Sequence, residues 1–132
     1  MKILIAEDDF VSRKVLHQYL KPYGDAEIAV NGQEVVDAVE NALDRGESYD
    51  VICLDIMMPK LDGQEALKKI RQLEVDKGIQ YPNSSRVIMT TALSDGKNIM
   101  GDFKSGAEIY LTKPVDKQKL YDELERLGIK PE

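Results

Sequence analysis

The sequence predicts a single α/β domain, in which helices cover both faces of a five-stranded parallel sheet. Three observations support this prediction. Short apolar runs alternate with helical stripes five times along the chain, its 132 residues suit one domain, and 42% of them are hydrophobic. Because consecutive strands in such a pattern are joined through helices, we expect right-handed crossovers between parallel neighbours.

The five predicted strands are runs rich in apolar and branched residues. They cover residues 2–6, 26–30, 51–54, 86–90 and 109–112. The third run is apolar throughout, which is typical of a parallel strand that is buried on both faces. The second run alternates only weakly, so we predict it to be an outer strand.

A segment with apolar residues at helical spacing follows each strand. The five stripes are Val15, Leu16, Tyr19 and Leu20; Val35, Val36, Val39, Ala42 and Leu43; Ala66, Leu67, Ile70 and Leu73; Ile99, Met100 and Phe103; and Leu120, Leu124 and Leu127. We expect Pro22 to stop the first helix, Asn31 to cap the second and Gly128 to end the last. The predicted domain covers residues 1–128, and residues 129–132 form a C-terminal tail.

Charge and hydropathy narrow the classes of partner. The formal net charge is −6, which opposes generic attraction to nucleic acid or to anionic lipid. No apolar run approaches the roughly 20 residues that a membrane-spanning helix needs. Only a few apolar residues precede the acids Glu7, Asp8 and Asp9, which is too few for a signal-peptide core. We therefore expect a cytoplasmic protein without direct nucleic-acid binding or membrane insertion.

Polar side chains follow the predicted strands at one edge of the sheet. They are Asp8 and Asp9 after the first strand, Asp55 after the third, Thr90 and Thr91 at the end of the fourth, and Lys113 after the fifth. Ligand sites of open α/β sheets lie at the carboxyl ends of the strands. Carboxylates packed together repel one another unless a cation intervenes, and Mg²⁺ prefers such oxygen ligands. A carboxylate beside Mg²⁺ and Lys113 is well placed to attack phosphorus.

Each of these residues also has a structural explanation when it is taken alone. Asp8 and Asp9 are typical helix N-cap residues, Asp55 is typical of a turn, and Thr91 is an ordinary strand-end hydroxyl. Their occurrence at a single edge favours the functional interpretation. His17 has no catalytic neighbour in its motif, so we interpret it as a helix-flank residue.

With these residues identified, the sequence resembles the receiver domain of bacterial two-component response regulators, including the stand-alone chemotaxis type. The matching segments are Ile5-Ala6-Glu7-Asp8-Asp9, Leu54-Asp55-Ile56-Met57-Met58-Pro59, Asp62-Gly63, Met89-Thr90-Thr91-Ala92, and the stretch from Gly106 to Pro114. The resemblance covers nearly the whole chain. It implies a flavodoxin-like, doubly wound sheet with strand order 2-1-3-4-5 and five helices.

The resemblance also implies a role for each matching residue. Asp55 matches the phosphoacceptor, and Lys113 matches the lysine that pairs with the phosphate. Asp8 and Asp9 match the acidic pair that holds Mg²⁺, with Asp9 preferred as the direct ligand. The backbone carbonyl of Met57 matches a further metal ligand.

Two more positions match the switch residues of the family. Thr91 precedes the small residue Ala92 and matches the switch hydroxyl, while Tyr110 matches the aromatic switch position. The implied partners are a sensor histidine kinase or a phosphotransfer protein as donor, and a downstream protein at the face formed by the predicted fourth helix, fifth strand and fifth helix. The implied chemistry is limited to the domain's own phosphorylation and dephosphorylation, so it is not an enzyme in the ordinary sense.

Two positions near the phosphoryl group are apolar where the family often has polar residues, namely Met57 and Leu93. Apolar side chains there should fail to orient the hydrolytic water, so we predict slow self-dephosphorylation.

Three alternatives stay open at this point. The chain could be the receiver part of a longer regulator. It could be a Mg²⁺-dependent phosphatase of the haloacid dehalogenase type, although Met57 stands where that family needs a second aspartate. It could also be a flavin or nucleotide module, although Glu7, Asp8 and Asp9 stand where a phosphate loop is expected.

Overall fold

The computed structural model describes residues 1–92 and 107–132. Within these residues, five strands form one parallel sheet of order β2-β1-β3-β4-β5. They are β1 Ile3–Ala6, β2 Ala26–Ala29, β3 Val51–Asp55, β4 Arg86–Thr91 and β5 Ile109–Thr112. The predicted α/β class and strand order are confirmed. Among the described helices, none is long and apolar enough to cross a membrane.

Four helices lie in the described part of the chain. They are α1 Phe10–Leu20, α2 Gly32–Asp44, α3 Gly63–Asp76 and α4 Lys117–Arg126. Helix α4 corresponds to the fifth helix of the sequence prediction. The predicted fourth helix, around Ile99, Met100 and Phe103, lies outside the described residues, as does Leu93.

The strands are apolar because successive side chains enter two different cores. In β1, Ile3 and Ile5 pack on the side of α1 and α4, whereas Leu4 and Ala6 pack on the side of α2 and α3. The same division holds along β3, where all five residues are buried. Burial on both faces explains why a period of two is hard to see in these runs.

Each helix begins at a side-chain cap. Asp9, Asn31, Asp62 and Asp116 all accept a hydrogen bond from the backbone N–H three residues further on. This confirms Asn31 as the predicted cap of α2. A 3-10 turn over Lys21–Tyr23 follows α1, and Gly128, with φ +80°, follows α4.

A polar cluster closes the amino edge of the sheet. Arg71 on α3 lies 2.8 Å from Glu74 Oε1 and 3.1 Å from Glu108 Oε1. The remaining carboxylate oxygens accept backbone N–H groups: Ser85 donates to Glu74 at 2.7 Å, and Val87 donates to Glu108 at 2.6 Å. The cluster therefore ties α3 to the starts of β4 and β5.

The last four residues lie against the domain. Ile129 packs on the core beneath α1 and α4, and the Glu132 N–H donates to the Pro22 carbonyl at 2.9 Å. The division of the chain at residue 128 stays a prediction.

Candidate functional site

Three charged side chains meet at the carboxyl edge of the sheet. Glu7 directly follows β1, Asp55 ends β3, and Lys113 directly follows β5. The Lys113 ammonium lies 2.6 Å from Glu7 Oε1 and 2.9 Å from Asp55 Oδ2. Glu7 is 0% exposed and Asp55 is 3% exposed. Buried charges need partners, and this ammonium serves both carboxylates.

The protonation of this cluster reflects its crowding. Burial raises the pKa of Glu7, and its hydrogen bond with Asp55 raises it further, against the opposing effects of Lys113 and the Asp9 N–H. Burial by itself would lower the pKa of Lys113, but its hydrogen bonds to Glu7 and Asp55 outweigh burial and raise it. Lys113 is thus held as a cation between two carboxylates.

The acidic side chains at this edge suit a divalent cation. Carboxylate oxygens of Glu7, Asp8 and Asp55 lie within 4.8 Å of one another. Three carboxylates face one ammonium, so the cluster carries excess negative charge when all are ionised. An all-oxygen donor set of this kind, with Asp8 exposed at its mouth, fits a hard cation such as Mg²⁺.

Of the expected acidic pair, the structure groups Asp8 with Asp55, whereas Asp9 has another contact. Asp9 is the N-cap of α1, where its Oδ2 accepts the Ser12 N–H at 2.8 Å, and this bond lowers the pKa of Asp9. Among the described residues, the carboxylate that joins Asp8 and Asp55 is Glu7 rather than Asp9. Glu7 was missed because three acids are consecutive in the sequence. The spacing of Asp9 and Ser12 at a helix start was the signal that could have separated them.

The segment after Asp55 turns back against the carboxylate. The Met57 N–H donates to Asp55 Oδ1 at 3.2 Å, and the Gly63 N–H donates to the Ile56 carbonyl at 2.9 Å. A Cβ at Gly63 would lie 2.3 Å from the Asp55 carbonyl oxygen, so only glycine fits this first residue of α3. The expected role of the Met57 carbonyl as a metal ligand stays a prediction.

The predicted switch residues lie on the neighbouring strands. In the sheet register Asp55 pairs with Thr90, and Thr91, which is fully buried, pairs with Thr112. The Thr91 hydroxyl donates to the Ala92 carbonyl at 3.3 Å. Tyr110 pairs with Met89 and is partly buried against the core on the side of α2 and α3.

A groove opens beside the charged cluster. It has a volume of about 240 Å³ and runs between α1 and the residues after β5. Glu7 and Lys113 line it together with mainly apolar residues, among them Val11, Val15 and Pro114. The groove therefore joins Glu7 and Lys113 to an apolar surface of α1.

The sequence model of one protein family, the response regulator receiver domain, matches residues 3–125 of the chain. The chain is 36% identical over 122 residues to the osmosensing histidine protein kinase SLN1 of Saccharomyces cerevisiae. That match covers 91% of the chain but only 9% of the kinase, so the chain spans a small part of this curated relative.

Two solved structures share the fold. One is the receiver domain of sensor histidine kinase PA1611 from Pseudomonas aeruginosa PAO1, whose crystal structure has a magnesium ion coordinated in the active-site cleft. It matches with a TM-score of 0.76 and 26% sequence identity, and the match covers 96% of this chain and 97% of that one. The other is the receiver domain of the response regulator Ssk1 from Saccharomyces cerevisiae, crystallised with the histidine phosphotransfer protein Ypd1. It matches with a TM-score of 0.80 and 27% sequence identity, and the match covers 97% of this chain and 88% of that one.

The family match covers nearly all of the chain, and the sheet order and the charged cluster agree with it. This chain belongs to the family of response regulator receiver domains.

Proposed function

We propose that this receiver accepts a phosphoryl group on Asp55 from a phosphohistidine of a sensor histidine kinase or a phosphotransfer protein. The observation that carries the proposal is the buried Asp55 carboxylate, held 2.9 Å from Lys113 within a cluster of three carboxylates. An Oδ atom of Asp55 attacks phosphorus, the P–N bond to imidazole breaks, and the imidazole nitrogen keeps the electron pair and takes up a proton. The product is an acyl phosphate.

The neighbouring residues have separate tasks in this transfer. Lys113 neutralises charge on the phosphoryl oxygens, which is the main way that proteins assist phosphoryl transfer. Glu7, Asp8, Asp55 and the Met57 carbonyl would hold Mg²⁺. When bound, the ion would neutralise further charge on the transferring group. The proposed chemistry of the chain is limited to its own phosphorylation and dephosphorylation.

The output of the switch is a change of protein contacts. The added charge and acceptor oxygens on Asp55 draw in the Thr91 hydroxyl, and Tyr110 turns inward as β4 moves. The face that includes β5 and α4 then changes its affinity for a downstream protein. The fourth helix that the sequence predicts for this face lies outside the described residues. The cytoplasmic location also stays a prediction.

The decisive test compares the Asp55→Asn variant with the unmodified chain. Each is incubated with Mg²⁺ and a small phosphodonor to measure covalent labelling, and separately with beryllofluoride to measure the conformational change, which the variant should lose. We expect one acid-stable, base-labile label per unmodified chain, mapped to Asp55 by mass spectrometry, and none in the variant. Asp50→Asn is the matched control, because Asp50 is an exposed aspartate at the amino edge. A label that persists in Asp55→Asn, or that maps elsewhere, contradicts the proposal.

The phosphodonor protein is proposed to dock on the exposed apolar start of α1. Phe10 and Val11 are 62% and 66% exposed, and Met57, two residues after Asp55, is 62% exposed. Arg13 and Lys14 flank the Phe10 ring at 5.5 Å each, so the patch suits an apolar helix with acidic neighbours. The groove between α1 and the segment after β5 extends this surface towards Lys113.

This docking surface is tested with phosphorylated Ypd1 as the donor. We expect Val11→Ala to slow transfer from the protein donor about tenfold, as loss of an interface contact does, while labelling by a small phosphodonor is unchanged. Val75→Ala is the control, since Val75 is 65% exposed on α3, away from the site. Equal rates for the two variants would place the docking surface elsewhere.

A second assignment has specific support, namely that the chain is the receiver part of a larger histidine kinase or regulator. The observation in favour is the 36% identity to a kinase of which the match covers 9%. The length of the complete reading frame decides between the two assignments, and a kinase core encoded in the same frame would establish the larger protein.

A further inference from the structure

The segment between β3 and α3, residues 56–62, is here called the acceptor loop, because it follows Asp55. Its middle is a tight turn, in which Lys60 has a φ of +69° and the Leu61 N–H donates to the Pro59 carbonyl at 2.8 Å. Its two ends are fixed by the hydrogen bonds of Met57 and Gly63 described above. Ile56 and Met58 are buried in the core, and one further contact of the loop comes from another helix.

That support is the first residue of α2, Gly32, which is buried. A Cβ at Gly32 would lie 1.8 Å from the Leu61 carbonyl oxygen, 2.6 Å from its carbonyl carbon and 2.7 Å from the Leu61 Cβ. Two of these atoms are backbone, so no rotamer change would make room. The acceptor loop therefore rests directly on the backbone of α2.

Space, and not backbone conformation, is the reason for glycine at this position. The φ of Gly32 lies outside the left-handed region that favours glycine, so other residues could adopt its backbone. Its surroundings are also firmly held: Asn31 caps the helix at 2.9 Å from the Glu34 N–H, and the Glu34 carboxylate accepts the Val30 N–H at 2.9 Å. The start of α2 thus forms a fixed support for the loop.

We propose that Gly32 is a positioning residue for the phosphorylation site, because the absence of its side chain lets the Leu61 carbonyl seat the acceptor loop against α2. The seated loop fixes the Met57 backbone beside Asp55. Gly32 touches none of the reacting groups and acts through Leu61. The inference rests on the proposed function, since it assumes that Asp55 and the loop build the metal and phosphoryl site.

The test compares Gly32→Ala with Gly46→Ala. Both changes add one methyl group to α2 or its end, but a Cβ at Gly46 meets nothing within 4 Å. Gly46 has a φ of +74°, so its alanine variant is destabilised without touching the loop, and it controls for a general loss of stability. Mn²⁺ affinity, measured by electron paramagnetic resonance, and labelling of Asp55 by a small phosphodonor are both recorded.

We expect Gly32→Ala to weaken Mn²⁺ binding about tenfold and to slow labelling comparably, as changes to groups that orient metal ligands do. Gly46→Ala should stay within about twofold of the unmodified chain, because distant sites act independently. If the two variants bind Mn²⁺ and label alike, the proposal is wrong.

Leu61→Ala covers the case in which Gly32→Ala does not fold. It keeps the carbonyl but removes the partly buried side chain that anchors the loop to the core. We expect a severalfold loss of Mn²⁺ affinity, because a loosened loop no longer fixes the Met57 backbone. An unchanged affinity would mean that the seating of the loop does not control the metal site, and it overturns the proposal. Failure of the unmodified chain to label at Asp55 would overturn the proposed function instead. The Mn²⁺ affinities of the variants would still test whether Gly32 positions the acceptor loop.

Discussion

Both edges of the sheet carry buried carboxylates, but the negative charge of these carboxylates is neutralised differently at each edge. At the amino edge, Arg71 pairs with Glu74 and Glu108, and the backbone N–H groups of Ser85 and Val87 satisfy the remaining carboxylate oxygens. Both carboxylates of this cluster have a protein cation and a backbone N–H donor. The cluster is complete without any ligand, so its role is to hold α3, β4 and β5 together.

At the carboxyl edge, Glu7, Asp8 and Asp55 converge on the single ammonium of Lys113. Carboxylates outnumber the cations, and two of the three are buried. Such a cluster is stabilised when a cation binds. The comparison teaches that charged residues alone do not mark a site; an uncompensated charge at an accessible edge does.

Arg71→Met removes the cation of the amino-edge cluster and should have the largest effect on the free energy of unfolding. It leaves Glu74, which is 3% exposed, without its cation, and removing one partner of a buried pair costs about 3 kcal/mol. Urea denaturation should show this loss in the free energy of unfolding. Arg126→Met is the control, because the Arg126–Glu123 pair is exposed and should contribute less than about 1 kcal/mol. If the two variants are equally stable, the amino edge is not a structural clamp.

Asp8→Asn tests whether the excess negative charge at the carboxyl edge binds a cation. We expect Mg²⁺ affinity to fall about 10-fold to 100-fold, or roughly 1.4–2.7 kcal/mol, with little change in the stability of the metal-free chain. Asp9→Asn should retain near-normal affinity, since asparagine also caps helices and Asp9 lies outside the cluster. Calorimetric titration of both variants decides between them, and a larger loss in Asp9→Asn would restore the pair expected from the sequence.

Met57→Asn should have the smallest effect. Met57 is exposed beside Asp55, and a polar side chain there would help to orient the hydrolytic water. We expect loss of the acyl phosphate to become about threefold faster, or roughly 0.6 kcal/mol in activation free energy, and faster still with Leu93→Glu. Met57→Leu, which stays apolar, should leave the rate unchanged. A rate in the double variant that is unchanged or slower contradicts this prediction.

Much of the fold could be predicted because it depends on local pattern. Apolar runs and helical stripes located all five strands and the four described helices, and β5 was placed at its observed bounds. Asp55 at the end of β3 and Lys113 directly after β5 were found because a parallel sheet brings its carboxyl ends to one edge. The strand order was implied by the family resemblance and not by the pattern.

Glu7 shows where local pattern stops being sufficient. Which of three consecutive acids reaches the site depends on where β1 ends and α1 begins, because a residue that caps the helix no longer follows the alternation of the strand. The Asp9 cap settles that boundary by fixing the first turn of α1. The choice between Glu7 and Asp9 is therefore made by three-dimensional register.

The sequence by itself determined the α/β class, the edge at which the site lies, and Asp55 and Lys113 as its central pair, because these follow from periodicity and from residue type at strand ends. Only the tertiary structure decided that Glu7 joins them, that Arg71 reaches Glu108 37 positions away, and that Gly32 supports the acceptor loop. These contacts join residues from different elements, and their distances depend on how the helices pack on the sheet.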